Sequence, residues 1–303
     1  MNPAWRRCID RFDEVKYFIA ESAVQPRGRS ASYRVDLYGS WVLLAYSACQ
    51  YALDEIGRGC MEFLGSRYKY PSAMPPKMLA LHQQRTLDRV RRAAEEADPH
   101  APIKSLIQGI HSNEWSSQSD LLSLDRNVWP NVVRGWLRRL GATDSDLGWM
   151  TEPVPGRTET YESRMASLVA ERNPIAHGQS ASNVLTAPLM QEWVSDCACF
   201  MEKCAMTAAF RLSFDHSPRL RLLGTIDRKV KLGKNTVAIA EIRHTLRVGD
   251  HILLASRGER KKIARVDSIM SENMQKRIVG IGHRRVAICL STPHQGNGIY
   301  MVP

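Results

Sequence analysis

The 303-residue chain has no window that approaches about eighteen uninterrupted apolar residues, so no membrane-spanning helix is expected. Its first residues, MNPAWRRCIDRFDEV, are charged and helix-like and hold no apolar signal core, which reads as a cytoplasmic protein with no membrane partner. No CxxC pair occurs among the seven cysteines, Cys8, Cys49, Cys60, Cys197, Cys199, Cys204 and Cys289. Cys197 and Cys199 sit two apart on an expected helix and point about 200° away from each other. Neither a disulfide framework nor a zinc site is called for, and buried free thiols are expected. The phosphate-cradling pattern GxxxxGK[ST] is missing, which excludes a P-loop GTPase. There is no internal repeat and no low-complexity tract. Nothing in the chain asks for a metal or a cofactor.

What is present is an uneven charge. The net charge is +11. Residues 1–216 hold 25 Lys+Arg and 25 Asp+Glu, whereas residues 217–303 hold 17 against 6. All of the excess lies in the last 87 residues. A step that sharp implies a second module that meets a polyanion, most often nucleic acid.

The two parts also differ in texture, which divides the chain into residues 1–216 and 217–303. Trp5, Ile9, Phe12, Val15 and Ile19 make a helical stripe over 3–22, interrupted by a Pro- and Ser-containing stretch at 24–33. Residues 39–64, beginning GSWVLLAYSACQYAL, are apolar on nearly every side at first and belong in the middle of a bundle. A polar helix is expected over 77–97 and a shorter one near 103–111. In NVWPNVVRGWLRRLG, Val133, Trp136, Leu137 and Leu140 share a face and Gly141 stops the helix. Further helices are expected over 158–172 and 186–214. After Ser217-Pro218 come six alternating or β-branched runs, RLRLLGTI, NTVAIAEI, DHILLAS, KKIARVDSI, RRVAICLS and GIYMVP. Separated by glycine-bearing turns at roughly ten-residue spacing, they predict a small antiparallel barrel. The fold class is therefore multidomain α plus β, an α-helical bundle followed by a barrel.

One stretch carries chemistry, ERNPIAHG at 171–178. Arg172 continues the face of Met165, Leu168 and Val169. Pro174 has no N–H and crowds the carbonyl four residues back, so the helix is expected to end or kink near Asn173. A new turn capped by Asn173 would then aim His177 independently of the first helix. Arginine and histidine without an acidic cluster suit RNA cleavage without a metal. The 2′-hydroxyl attacks its own phosphate once histidine, with an ordinary pKa of about 6.5, takes its proton. Arginine's planar fork neutralises the crowded phosphorane. Spacing is not what distinguishes this pair, since Arg211 and His216 share it and Arg277 and His283 nearly do.

In its context RN-x-x-AH-G resembles the motif of HEPN superfamily ribonucleases, close to the form in bacterial toxins and defence nucleases. The resemblance extends over about 30–215, including LLAYSACQYAL and IHSNEWSSQSDLL. It implies an α-helical bundle that pairs as a homodimer, with two Arg–His motifs forming one metal-free site that leaves a cyclic phosphate. It assigns Arg172 as transition-state stabiliser, His177 as acid/base and Asn173 as positioner. Related sequences often carry an acid on the second helix near the cleft; here Gln50 stands there, with Asp54 and Glu55 one turn further on, so Gln50 and Glu55 are possible supporting residues. Silent HEPN scaffolds also exist, which leaves a non-catalytic binding dimer as the alternative.

The run from His244 to Ser291 has strand, RVGD, apolar strand, KIARVDSI and G-x-x-x-VAICL in order. Over about 220–291 it resembles the second domain of elongation factor Tu, with Gly249-Asp250 at the linking turn and Gly282 before the closing strand. That resemblance points to RNA, with tRNA suspected, or to a protein partner such as an antitoxin or a phage-derived trigger. Lys261, Lys262, Arg265, Arg284 and Arg285 are the candidate RNA phosphate contacts.

Overall fold

In the computed structural model the residues described are 2–24, 30–68, 70, 73–76, 78–80, 84, 122, 127–181, 184–216, 222–232, 235–255, 262–271, 274–279, 285–291 and 298–301. The helices expected over 77–97 and 103–111 fall almost wholly outside them. The chain divides into two compact units, Arg7–Ala208 and Met1–Arg6 with Ala209–Pro303.

Arg7–Ala208 is a helical bundle. Helix α1 covers Asn2–Ala23; of the expected stripe Trp5, Phe12, Val15 and Ile19 are buried, whereas Ile9 is half-buried and Cys8 beside it is buried instead. Helix α2 runs from Ala31 to Arg67. It starts earlier than its apolar run, because the Ser30 hydroxyl accepts the Tyr33 N–H and caps the first turn inside the Pro- and Ser-containing stretch. This helix does sit among others, with Val42, Ala45, Cys49, Ala52, Leu53 and Ile56 fully buried.

Helix α3, Pro130–Arg139, packs beside it: a methyl at Gly57 would lie 3.6 Å from the buried Trp136 indole. Burying Leu137 of the same helix completely stabilises by about 2 kcal/mol. Gly141, at φ +90°, ends α3 as expected, with the Ala142 N–H reaching the Leu137 carbonyl and the Gly141 N–H reaching Arg138. A short helix α4, Asp144–Leu147, and a 3-10 turn, Gly148–Thr151, lead to α5, Tyr161–Ala176. Helix α6 covers Ala187–His216. Asp196 on α6 takes Arg157 and Arg164 at 2.8 and 2.9 Å, tying α5 to α6. No described helix is long and apolar enough to cross a membrane.

In the second unit, six antiparallel strands close into a barrel in the order β4-β9-β1-β2-β8-β5, with β5 returning to β4. These are β1 Leu222–Leu232, β2 Asn235–Ile242, β4 His251–Ala255, β5 Lys262–Ser271, β8 Val286–Leu290 and β9 Gly298–Met301. They coincide with the six alternating runs. Short strands β3 Leu246–Arg247, β6 Met274–Lys276 and β7 Ile278–Val279 are additions. Ile226, Ala238, Ala240, Ile252, Leu254, Val266, Ile269 and Ile288 fill the interior. Gly224 is obligatory, since a methyl there would sit 2.2 Å from the Glu241 carbonyl across the β1–β2 ladder. The RVGD turn joins β3 to β4, with Gly249 at φ +88° and the Asp250 carboxylate accepting the Arg247 N–H at 3.0 Å. The Arg6 guanidinium pairs with the same carboxylate.

Candidate functional site

The motif residues lie at the C-terminal end of α5. Thr160 caps the start of this helix, its hydroxyl accepting the Ser163 N–H, and Tyr161, Met165, Leu168 and Val169 bury its inner face. The helix does not end at Asn173-Pro174; α5 runs through Pro174 to Ala176. Proline removes only the bond to the Ala170 carbonyl, and Ala170 is on the exposed side, where water can replace it. The stop comes one turn later. His177 is the C-cap residue and Gly178 follows in the left-handed region at φ +79°. The Gln179 N–H reaches the Pro174 carbonyl at 2.9 Å and the Gly178 N–H the Ile175 carbonyl at 3.0 Å, the same closing pair seen after α3. The order Ala-His-Gly is thus a helix-stop signal that leaves His177 on an exposed cap.

Arg172 and Asn173 are half-buried. The Arg172 guanidinium lies over the Tyr46 ring at 4.6 Å, and its Nη1 donates to the Asn173 Oδ1 at 3.3 Å. Asn127 Nδ2 donates to the same oxygen at 3.3 Å. Asn127 Oδ1 in turn accepts from the Tyr46 hydroxyl at 3.2 Å, and that hydroxyl accepts the Val128 N–H at 3.2 Å. The result is a closed polar ring linking α2, the residues just before α3, and the end of α5. Arg172 Nε is buried with no partner, so the guanidinium keeps donor capacity in reserve. Glu171 Oε1 is likewise unpartnered, and burial raises its carboxyl above the ordinary range. No side-chain hydrogen bond joins the His177 imidazole to Arg172; His177 lies one turn beyond Asn173, with its N–H on the Asn173 carbonyl at 3.3 Å.

On α2, Gln50 and Asp54 follow Tyr46 at four-residue steps and are exposed. Glu55, nine residues on, faces about 180° away. There it is fully buried, pairing with Arg7 Nη2 at 2.6 Å and with Arg58. The ring does not include it. Tyr46 and Asn127 were not singled out from the sequence, although both fall in its marked segments, LLAYSACQYAL and NVWPNVVRGWLRRLG.

The sequence profile described as RiboL-PSP-HEPN matches residues 6–204. The chain belongs to the RiboL-PSP-HEPN family. No curated protein matches it. Among solved structures, the C-terminal domain of a Geobacillus thermoleovorans protein described as a U32 peptidase is 12% identical, with a TM-score of 0.24, covering 29% of this chain and 96% of that one. A score so low carries no argument about function.

Beyond the HEPN region, the basic candidates divide. Arg265 on β5 pairs with Asp267 at 3.0 Å, and Arg285, just before β8, lies 3.7 Å from Asp227. Both pairs are exposed and worth about 0–1 kcal/mol, weak enough to open to a phosphate. Since Arg265 bonds Ser291 at the far end of β8, the two arginines sit six residues apart along that strand, about 20 Å. Lys262 begins β5, and Lys261, Arg284 and Gly282 lie outside the described residues.

Proposed function

We propose that this HEPN chain is a metal-independent endoribonuclease acting as a toxin or antiviral effector. The observation that carries the reading is the end of α5. There a guanidinium seated on an aromatic ring adjoins an amide, and a histidine stands exposed on the next turn. Arg172 stabilises the pentacoordinate phosphorane and Asn173 holds the guanidinium in plane. His177 accepts the 2′-hydroxyl proton as that oxygen bonds phosphorus; the 5′-oxygen leaves and takes a proton, giving a 2′,3′-cyclic phosphate. One histidine cannot both accept and donate in a single step, so a second copy supplies the donor and the site is composite in a homodimer. The barrel, similar to domain 2 of elongation factor Tu, captures the RNA, with tRNA the leading candidate.

The test is incubation of the parent, Arg172→Ala and His177→Ala with total RNA in EDTA. Cleavage by the parent that falls at least about a hundredfold in both variants is expected. Equal cleavage by all three sinks the proposal.

A second reading keeps the dimer but removes catalysis. Gln50 in place of an acid favours it, as does an apolar edge on the barrel where Val248, Met270, Met274 and Ile278 are exposed. That edge would suit a protein partner, an antitoxin or phage-derived trigger. Growth of cells expressing the parent or His177→Ala separates the two readings: toxicity that survives the substitution supports the second.

A further inference from the structure

An open pocket of about 650 Å³ adjoins the polar ring, lined by Asn127, Trp129, Asn131 and Val132. Its size falls within the ~300–1,000 Å³ of ordinary small-molecule sites. We propose that it is a nucleobase subsite, in which one unstacked base of the RNA beside the scissile phosphate lies against the Trp129 indole. The proposal rests on the nuclease reading for its substrate.

Three observations support it. The pocket shares Asn127 with the ring, and Asn127 is bonded to the Asn173 that holds Arg172, so a phosphate on Arg172 puts its neighbouring base within reach. Among the described residues the lining has no charged side chain. Such a surface accepts the uncharged part of a nucleotide and leaves the phosphate to the guanidinium. Trp129 is also held rigidly: its N–H donates to the Asn127 carbonyl at 2.8 Å, its carbonyl accepts the Val133 N–H at 3.0 Å, and Pro130 follows it. A half-buried indole on a backbone fixed in this way is a stacking surface with only two side-chain torsions to order on binding.

Asparagine amides stand on both sides of it in sequence. Asn131 uses its Oδ1 on the Val132 N–H at 3.0 Å, which leaves its Nδ2 to donate to a base edge. Single unpaired bases bound by an aromatic face and amide groups are the usual way proteins read RNA sequence. No other part of the described pocket offers an aromatic face.

Binding in a His177→Ala background, which separates affinity from cleavage, tests the subsite. The probes are a uridine decamer and an abasic ribose-phosphate decamer of equal length, each labelled for fluorescence anisotropy. Trp129→Ala is expected to weaken uridine decamer binding about tenfold or more and to leave the abasic decamer unchanged, while Trp129→Phe restores most of the affinity. If Trp129→Ala does not fold, the exposed Asn131→Ala takes its place in the same background, with weakened uridine decamer binding and unchanged abasic decamer binding as the readout. Equal weakening of both decamers, or none of either, overturns the subsite. A parent that cleaves no RNA while uridine binding still depends on Trp129 removes the nuclease reading and leaves the subsite standing.

Discussion

Tyr46 serves the Arg172 cluster in two ways, and they can be separated. Tyr46→Phe keeps the ring beneath the guanidinium but leaves the Val128 N–H and Asn127 Oδ1 without their partner. In a site this buried the loss is expected to cost about 1–3 kcal/mol in denaturant unfolding, with cleavage within a few-fold of the parent. Tyr46→Leu removes the π-face as well, and cleavage is expected to drop about tenfold or more as Arg172 loses its seat. Equal activity in the two variants would show that the ring does not position the arginine. Glu171 gives a pH-dependent expectation. Burial raises its folded-state pKa above the unfolded value, so the ionised form is the penalised one. Stability is therefore fullest below the ordinary carboxylate range and is lost as pH rises through the raised value. Glu171→Gln should melt higher than the parent at pH 7, with the difference gone below about pH 4. These residue-scale partnerships were not legible in the sequence: Tyr46 and Arg172 meet only because α2 and α5 pack together, whereas Arg172, Asn173 and His177 stood out as one short string.

Among the helices and strands, glycine and proline mattered by position more than by presence. Pro174 pointed to a helix end at Asn173, but it sits in the last full turn of α5, the Ala170 carbonyl that it leaves unbonded is on the exposed side, and the helix continues to Ala176. The real stop is Gly178, where φ is +79°. A methyl there meets nothing within 4 Å, so the penalty of Gly178→Ala is conformational alone, about 1 kcal/mol in unfolding free energy. Gly135 is exposed within α3 and likewise has open space, but its backbone is ordinary helix. Gly135→Ala is expected to stabilise by about 0.5–1 kcal/mol. The same substitution thus carries opposite signs at two helix positions, and like signs would refute the account of the α5 stop. The six barrel strands were readable because each forms an apolar or alternating run of four or more residues between turn signals. Strands of two or three residues, β3, β6 and β7, are too short to show a period. The start of α2 was hidden for a different reason: Ser30 lies in a stretch whose composition reads as loop, and only its cap bond shows that the helix begins there.

For the whole molecule, the charge division of the sequence has its counterpart in the barrel, where every net positive charge of the chain resides. The HEPN region as far as residue 216 is neutral, so it offers RNA local chemistry without long-range attraction. If the barrel supplies capture, affinity for single-stranded RNA should follow counterion release, with log K falling by about 0.7 for each phosphate neutralised per decade of salt. About five contacts then mean roughly a hundredfold loss between 50 and 200 mM salt. Arg265 and Arg285 lie some 20 Å apart and each has an exposed carboxylate neighbour. Two phosphates on one extended strand could engage both, and each engagement releases an aspartate. Arg265→Gln with Arg285→Gln should therefore flatten the slope by somewhat less than two contacts, because each phosphate contact of the parent first breaks an aspartate pair whose freed carboxylate takes up a cation. Cleavage of a short oligonucleotide that reaches only α5 should not change. Filter binding of the intact chain over a salt series checks both quantities. An unaltered slope would move RNA capture off this face of the barrel and leave its exposed apolar edge as the surface with work to do.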